Sequence, residues 1–375
     1  MDIYLTKVSA KSDMRKFRDF PYKLYKDNKF WCPPMRRSEK KTLSPQHNPA
    51  FEFCEAAYWL AWKHKKVVGR IAGIINHNAN QRWNENLVRF GWIDFIDDPD
   101  VSRLLIETVM EWGRSKGMTA IQGPLGFSIM DNEGMLIKGF DELGTMGSIY
   151  NYPYYPVHME NLGFQKSVDW VQFEMDVIPV PEKVERMART IREKFNISPL
   201  HIRNARELLP YTGRMWNLLN LAFKDLYGFT DLTEKQIRLY TRQYFPYINP
   251  DYVCFLVNDK DELVGFGISF PSLTRALQKC NGRLFPIGFI YLLRALKKKD
   301  RVDMDMNGVH PDYQGKGIVA IYHLEIHKGY IRNKVKKLIT NPQLDGNAAS
   351  HMWKMYNGRQ HITRRCWIKQ MAKSE

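Results

Sequence analysis

Apolar positions in this chain alternate in some stretches and recur at helical spacing in others, and the two patterns pass twice through one series of elements. In the first pass, Ile3 to Val8 reads as a strand and Asp13 to Lys26 as a basic amphipathic helix. Two strand-like runs, Ala56 to Lys63 and Val67 to Ile75, flank the charged turn His64-Lys65-Lys66, which predicts a hairpin. A third strand, Leu87 to Phe95, leads through Asp97-Asp98-Pro99-Asp100 into a helix over Val101 to Lys116. Pro99 suits a helix start, and the acids before it suit the helix dipole. A short strand, Thr119 to Gln122, precedes the irregular stretch Gly123 to Gly144, a helix over Pro153 to Leu162 and strand material over Phe164 to Met175.

After a proline-flanked amphipathic helix the order returns. A strand near Leu200 to Arg203 is followed by helices around Glu207 to Phe223 and Thr233 to Tyr247. The hairpin Tyr252–Val257 and Leu263–Phe270 turns at Asn258-Asp259-Lys260-Asp261. Glu262-Leu263-Val264-Gly265 echoes Lys66-Val67-Val68-Gly69, each strand leaving its charged turn through Val-Gly. A strand from Val302, a helix over Ile318 to Arg332, a short strand Lys337–Asn341, a helix Asn347–Tyr356 and a last strand near Ile362–Gln370 complete the second pass. The repeat is weak in letters and clear in order, which predicts two copies of one α/β (α+β) unit. The expected boundaries are 1–177, a linker helix over 178–198, and 199–375.

Composition narrows the class. A chain of 375 residues with 44% hydrophobic and 13% aromatic residues is too apolar for disorder and long enough for two domains. Its five cysteines are odd in number and lack CxxC spacing, which points to a reducing compartment and away from structural zinc. The N-terminal stretch is too charged for a signal peptide, and the most apolar run, Leu284 to Ala295, is too short to span a bilayer. A cytoplasmic protein with no membrane partner is therefore expected. The net charge of +16 raises nucleic acid as a partner, but the basic residues are dispersed and no nucleic-acid motif accompanies them.

The chemistry concentrates in Val302–Arg332. Asp303, Asp305 and Asn307 alternate with Val302, Met304 and Met306, which predicts a strand presenting the three polar residues on one face. His310-Pro311-Asp312 ends it, and Gln314-Gly315-Lys316-Gly317 opens the following helix. Glycines at a helix start leave N–H groups uncovered in front of the positive dipole end, a cradle for phosphate. The P-loop pattern fails, since His310 replaces its first glycine and Gly317 follows Lys316. The Rossmann spacing fits formally, but Val335-Lys336-Lys337 stands where a ribose-binding acid belongs.

Val309-x-Pro311-x-x-Gln314-x-x-Gly317 resembles the acetyl-CoA pyrophosphate loop of the GNAT superfamily of N-acetyltransferases, with Val319 in place of that loop's last Gly or Ala. Further segments, FWCPP, Gly123–Gly144, YNYPYYPVHMENLGF and GISFPSLTRAL, are similar to a bacterial family of tandem-GNAT proteins predicted to be acyltransferases. The resemblance implies two GNAT-like domains, each a central mixed, mostly antiparallel sheet flanked by helices. It implies acetyl-CoA or another acyl-CoA as co-substrate on the second copy, held by Asn307, Gly308, Val309, Gln314, Gly315, Lys316, Gly317, Ile318 and Asn347. The first copy carries acids at the corresponding place and is not expected to bind CoA there.

The implied reaction is direct attack by an amine of a small molecule or peptide on the thioester. An amine must lose its proton to attack, so Asp303 and Asp305 are candidate bases. Lys354 stands where GNAT chains hold the tyrosine that protonates the leaving thiolate, and Tyr356 lies nearby. Asp131, Asn132 and Glu133, with Tyr152 and Tyr154, are candidates for acceptor recognition, because long irregular connections are usually functional. His323 and His327 lie four apart on a helix with no third ligand, so no metal is assigned. Two other classes remain open here: an aminoacyl-tRNA-dependent transferase of Fem-like architecture, and a non-catalytic CoA-binding protein.

Overall fold

The computed structural model describes residues 3–298, 300–347 and 350–371. In chain order the first elements are β1 (Ile3–Lys7), α1 (Lys11–Leu24), α2 (Arg36–Thr42), β2 (Cys54–Lys63), β3 (Lys66–Asn76), α3 (His77–Trp83) and β4 (Leu87–Phe95). There follow α4 (Pro99–Ser115), β5 (Ala120–Gly123), β6 (Met135–Lys138), α5 (Tyr154–Asn161), β7 (Gln165–Asp176), α6 (Glu182–Phe195) and β8 (Ser198–Pro199). The next are α7 (Thr212–Phe223), α8 (Glu234–Tyr244), β9 (Val253–Val257), β10 (Leu263–Pro271), α9 (Thr274–Cys280) and α10 (Gly288–Lys297). Last come β11 (Arg301–Val309), α11 (Val319–Arg332), β12 (Lys337–Ile339), β13 (Gln343–Leu344), α12 (Ser350–Met355) and β14 (Arg359–Gln370). The mixed α/β class and the mostly antiparallel pairing expected from the sequence are observed.

The chain divides into two units that are not contiguous in sequence. The first holds the residues up to Val171, Thr274–Tyr291 and the chain from His361 on, and the second holds Gln172–Leu273 and Leu292–Gln360. In the first unit the strand order is β1-β2-β3-β4-β5-β14, with β6 on β14. In the second it is β8-β9-β10-β11-β12 and then the end of β7. The expected boundaries are 1–177 and 199–375, whereas the second unit takes in the end of β7 from Gln172 and the first unit takes in β14 from His361. The open edge of a short parallel strand exposes N–H and C=O groups that must be paired, and a strand from either pass serves equally.

In the first unit, His64 and Lys65 take positive φ (49° and 61°), the twist that a two-residue β2–β3 hairpin needs. Helix α4 covers the sheet with Val101, Leu105 and Val109 against Ile71, Val88 and Phe90. In the second unit, Gly267 lets α11 lie close on the sheet: a Cβ there would come within 2.8 Å of the Tyr322 ring. The Tyr330 and Ser269 hydroxyls meet at 2.7 Å on that face. Pro210 accounts for one difference from expectation. Ala205–Tyr211 is a 3-10 turn, and helix α7 begins only after it.

Candidate acyl-transfer site

Strands β11 and β12 run parallel for three residues and then part. Arg301 lies opposite Lys337, Val302 opposite Leu338 and Asp303 opposite Ile339, and beyond these β11 continues to Val309 paired only with β10. Asn341-Pro342 follows β12, and proline has no N–H with which to extend the ladder. The His310 amide donates to Val264 and sets the phase of the β10 ladder, so the amides of Asn307 and Val309 face the open edge. Among the described residues, this wedge is a backbone hydrogen-bonding surface without a strand to cover it.

At the end of the wedge lies the glycine loop. Gly315 and Gly317 take φ of +72° and +77°, a region that disfavours other residues. The Gln314 side chain donates to the Val309 carbonyl (3.2 Å) and ties the loop to the strand end. Lys316 lies over the Phe195 and Tyr313 rings, 5.3 and 5.5 Å from their centres. Ile318 is fully buried and starts α11 without a side-chain cap. Ala320 and Ile321 donate to Gly317 and Ile318, while the amides of Gly315, Gly317, Ile318 and Val319 have no protein acceptor among the described residues. These residues fit a pyrophosphate: uncovered donors, a dipole end and one lysine. Gly308 tucks under Phe266, whose ring would meet a Cβ at 2.7 Å. Asn347 is exposed beyond β13, its amide donating to Leu344.

The polar face of β11 is not the one that simple alternation predicts. Ile268 opposes Met306 but Ser269 opposes Met304, so Asp305 is the extra residue of a β-bulge. Asp303, opposite Phe270, therefore shares a face with Met306 and Gly308, while Asn307, opposite Gly267, lies on the α11 face. The expectation that Asp303, Asp305 and Asn307 share one face is corrected: one inserted residue reverses the parity of everything before it. Both carboxyls titrate high. Burial pushes Asp303 up against the pull of Arg301, whose Nε lies 3.6 Å from Oδ1, and Oδ1 has no hydrogen bond. Burial, and then the Asp303 charge, raise Asp305 to about 7.

Two more polar atoms stand buried without partners: Asn341 Oδ1 and the Tyr356 hydroxyl. Asn341 follows β12 by two residues, beyond the point where its pairing with β11 ends. Sequence reasoning missed Asn341; the Asn-Pro pair at a strand end was its one signal. Burial pushes Tyr356 up to about 12, so it holds its proton at neutral pH, and its ring lies 5.3 Å from His327. Lys354 is exposed. His327 shares a 2.6 Å hydrogen bond with the Ile178 carbonyl, and burial lowers both it and His323, the latter to about 3.

The proposed acceptor residues belong to the first unit. Asp131 accepts from the Phe127 and Ser128 amides at 2.9 and 3.1 Å, which bends its own loop. Burial raises Asp131 to about 6 and Glu133 to about 8, while Asn132 is exposed. The Tyr152 hydroxyl donates to Leu24 O and that of Tyr154 to Phe95 O, which fixes both rings within the unit. Where the first unit repeats the wedge, its own chain fills it: Leu125 N donates to Phe90 O and Arg89 donates to Gly126 O. At its helix start, Asp98 caps α4 through the Asp100 amide and pairs with Lys63 at 2.7 Å. A carboxylate already occupies the place where an anion would sit.

No family model matches this chain. It is 28% identical over 337 residues to protein YghO of Escherichia coli, covering 88% of this chain and 85% of that protein. It is 27% identical over 303 residues to the bacterial ceramide synthase of Caulobacter vibrioides, covering 80% and 77%. Among solved structures, a tandem GNAT protein from the clavulanic acid biosynthesis pathway superposes over 100% of both chains at TM-score 0.57 and 12% identity. The chain has the tandem GNAT fold.

Proposed function

We propose that this tandem-GNAT chain is an acyl-CoA-dependent N-acyltransferase that works through its second unit. The parting of β11 from β12, with a glycine loop of uncovered amides at its end, is the observation that carries the reading. The loop amides and Lys316 hold the pyrophosphate. The open-edge amides of Asn307 and Val309 orient the acyl donor and polarise its carbonyl. Asp305, raised to about 7, takes the proton from the attacking amine, with Asp303 keeping its pKa high. The C–N bond forms as the C–S bond breaks, and Tyr356 supplies a proton to the departing thiolate. Acyl-CoA brings the activated carbonyl, and the protein contributes binding, orientation and proton transfer.

The Caulobacter relative's name suggests the acceptor class. Ceramide is a long-chain amino alcohol acylated on nitrogen, so the reading extends to a fatty acyl-CoA and a long-chain amine. Calorimetry with acetyl-CoA tests the CoA site. Saturable binding is expected, and Gly317→Glu should weaken it at least about tenfold through a misplaced charge and a strained backbone. Absence of binding at millimolar ligand ends the reading. Palmitoyl-CoA with sphinganine then tests the acceptor: formation of the N-acyl product supports the extension, and turnover of short amines alone refutes it.

A further inference from the structure

The apolar run Leu284–Ala295, too short to cross a bilayer, does not bury itself. Phe285 is 69% exposed and Ile287 56%, with Phe289 and Ile290 also exposed. Phe285 and Phe289 lie with ring centres 5.9 Å apart, so these side chains form a ridge rather than scattered singles. An exposed ridge of large apolar residues is unusual in a protein that meets only water. Its surroundings are one-signed: from Lys279 to Lys298 the chain carries Arg283, Arg294 and Lys297 and no acidic residue. Basic residues beside exposed aromatic and aliphatic ones on a short helix are the pattern of a segment lying in a membrane interface.

A second feature of the first unit points the same way. A cleft of about 480 Å³ is lined by Arg15, Arg18, Arg36, Arg37, Lys40 and Arg283, with Asp19 and Glu39 as its only acids. Asp19 is paired with Arg36 at 2.6 Å, and Glu39 accepts a hydrogen bond from Trp92. Arg15, Arg37, Lys40 and Arg283 form no ion pair among the described residues. Arg283 belongs to both features. The turn before it is clamped to the cleft wall, with Arg36 N donating to Gly282 O and Arg36 Nε to Asn281 O. The guanidinium of Arg36 also stacks on Tyr22, 3.6 Å from the ring centre. The apolar segment thus starts from a fixed position at the rim of a basic cleft.

We propose that this surface of the first unit docks on an anionic phospholipid bilayer, the cleft taking a lipid phosphate and the 285–290 ridge entering the acyl boundary. The inference stands independently of the acyl-transfer reading. Such docking is peripheral, consistent with the absence, among the described residues, of any helix long and apolar enough to cross a membrane. Charge complementarity selects the occupant, since apolar contact alone would serve a second copy of the chain equally well, whereas unpaired cations beside it repel that copy.

The test is sedimentation of the full chain with vesicles of phosphatidylcholine, and of phosphatidylcholine with phosphatidylglycerol in equal parts. Binding to the mixed vesicles is expected, weakening as salt is raised. Phe285→Glu with Ile287→Glu should weaken it at least about tenfold, since both the buried apolar area and the attraction are lost. Arg37→Glu with Lys40→Glu should do so by a similar factor. All four positions are exposed, and an unchanged Tm would show that the variants fold. Glycerol phosphate that saturates the cleft without vesicle binding would overturn the lipid assignment in favour of a free phosphate ligand. Failure to bind mixed vesicles, equal binding by the variants, or a dimer that the Phe285 and Ile287 changes dissociate would each overturn it as well.

Discussion

Replacing Asp305 by Asn is expected to lower kcat/KM for acyl transfer at pH 8 by about 10²–10³, within the range that a positioned general base contributes. Acetyl-CoA affinity should stay within about twofold, because the loop Gln314–Val319 lies beyond the far end of β11 from this bulge. In the unaltered protein, kcat/KM should climb about tenfold per pH unit and level off above about 7, following the Asp305 carboxyl. Asp303→Asn removes the charge that helps to raise Asp305, so the levelling point should move to lower pH. An Asp305→Asn protein that retains the rate and the profile would exclude this residue as the base.

The same substitution carries a stability signature of fixed sign. Asp305 titrates at about 7 in the folded chain and near ~3.9 when unfolded. Below ~3.9 both states are protonated and nothing is lost. Between the two values the unfolded chain releases its proton and the folded one keeps it, so stability falls as pH rises toward about 7. Partial access to solvent limits the loss to about 2–4 kcal/mol. Asp305→Asn should therefore raise Tm by several degrees at pH 8 and leave it nearly unchanged at pH 4. Thermal scans at the two pH values check this, and equal shifts would place the effect in packing rather than ionisation.

The second large effect belongs to the first unit. Asp94→Ala is expected to destabilise that unit by about 3–5 kcal/mol, because it leaves a buried guanidinium without its counter-charge. Arg70 Nε donates to Asp94 at 2.7 Å and Arg70 Nη1 to Phe17 O at 3.0 Å, with the Arg70 side chain only 6% exposed. Tyr25 donates to the other carboxylate oxygen at 2.8 Å and meets the Tyr155 hydroxyl at 2.9 Å. The residue that anchors this network sits on β4, so its loss disturbs α1, the sheet and the tyrosine cluster together. Denaturant unfolding followed by tryptophan fluorescence measures the change. Arg70→Met with Asp94→Leu should recover much of it, since an apolar pair leaves no charge stranded. A single variant that unfolds at the same midpoint would show that water reaches Arg70.

Much of the architecture was legible in the letters. Hydrophobic period distinguishes strand from helix, and the boundaries of β3, β4, β10 and α11 fell within a residue or two of expectation because proline, glycine and charged turns punctuate them. The glycine loop was legible for the same reason: φ above +70° at Gly315 and Gly317 is a demand that the sequence answers with particular residues. Asp303 and Asp305 could be picked out, because acids alternating in an apolar strand are conspicuous. Their placement on faces could not. A bulge leaves no mark in the composition of β11, yet one unpaired residue turns Asp303 away from Asn307. Tyr152 and Tyr154 show the same limit: nothing in the polar-aromatic run records that their hydroxyls donate to Leu24 O and Phe95 O.

The sequence by itself determined the two-fold repeat, the element order and the glycine loop Gln314–Gly317, because each depends on residues near one another in the chain. Tertiary structure alone decided which strand completes which unit, where β11 and β12 part, and which buried atoms go unpartnered. It also decided that the wedge of the second unit stays open while that of the first is filled by its own loop. Pairing, register and desolvation are set by contacts between distant residues, and local pattern carries no record of them.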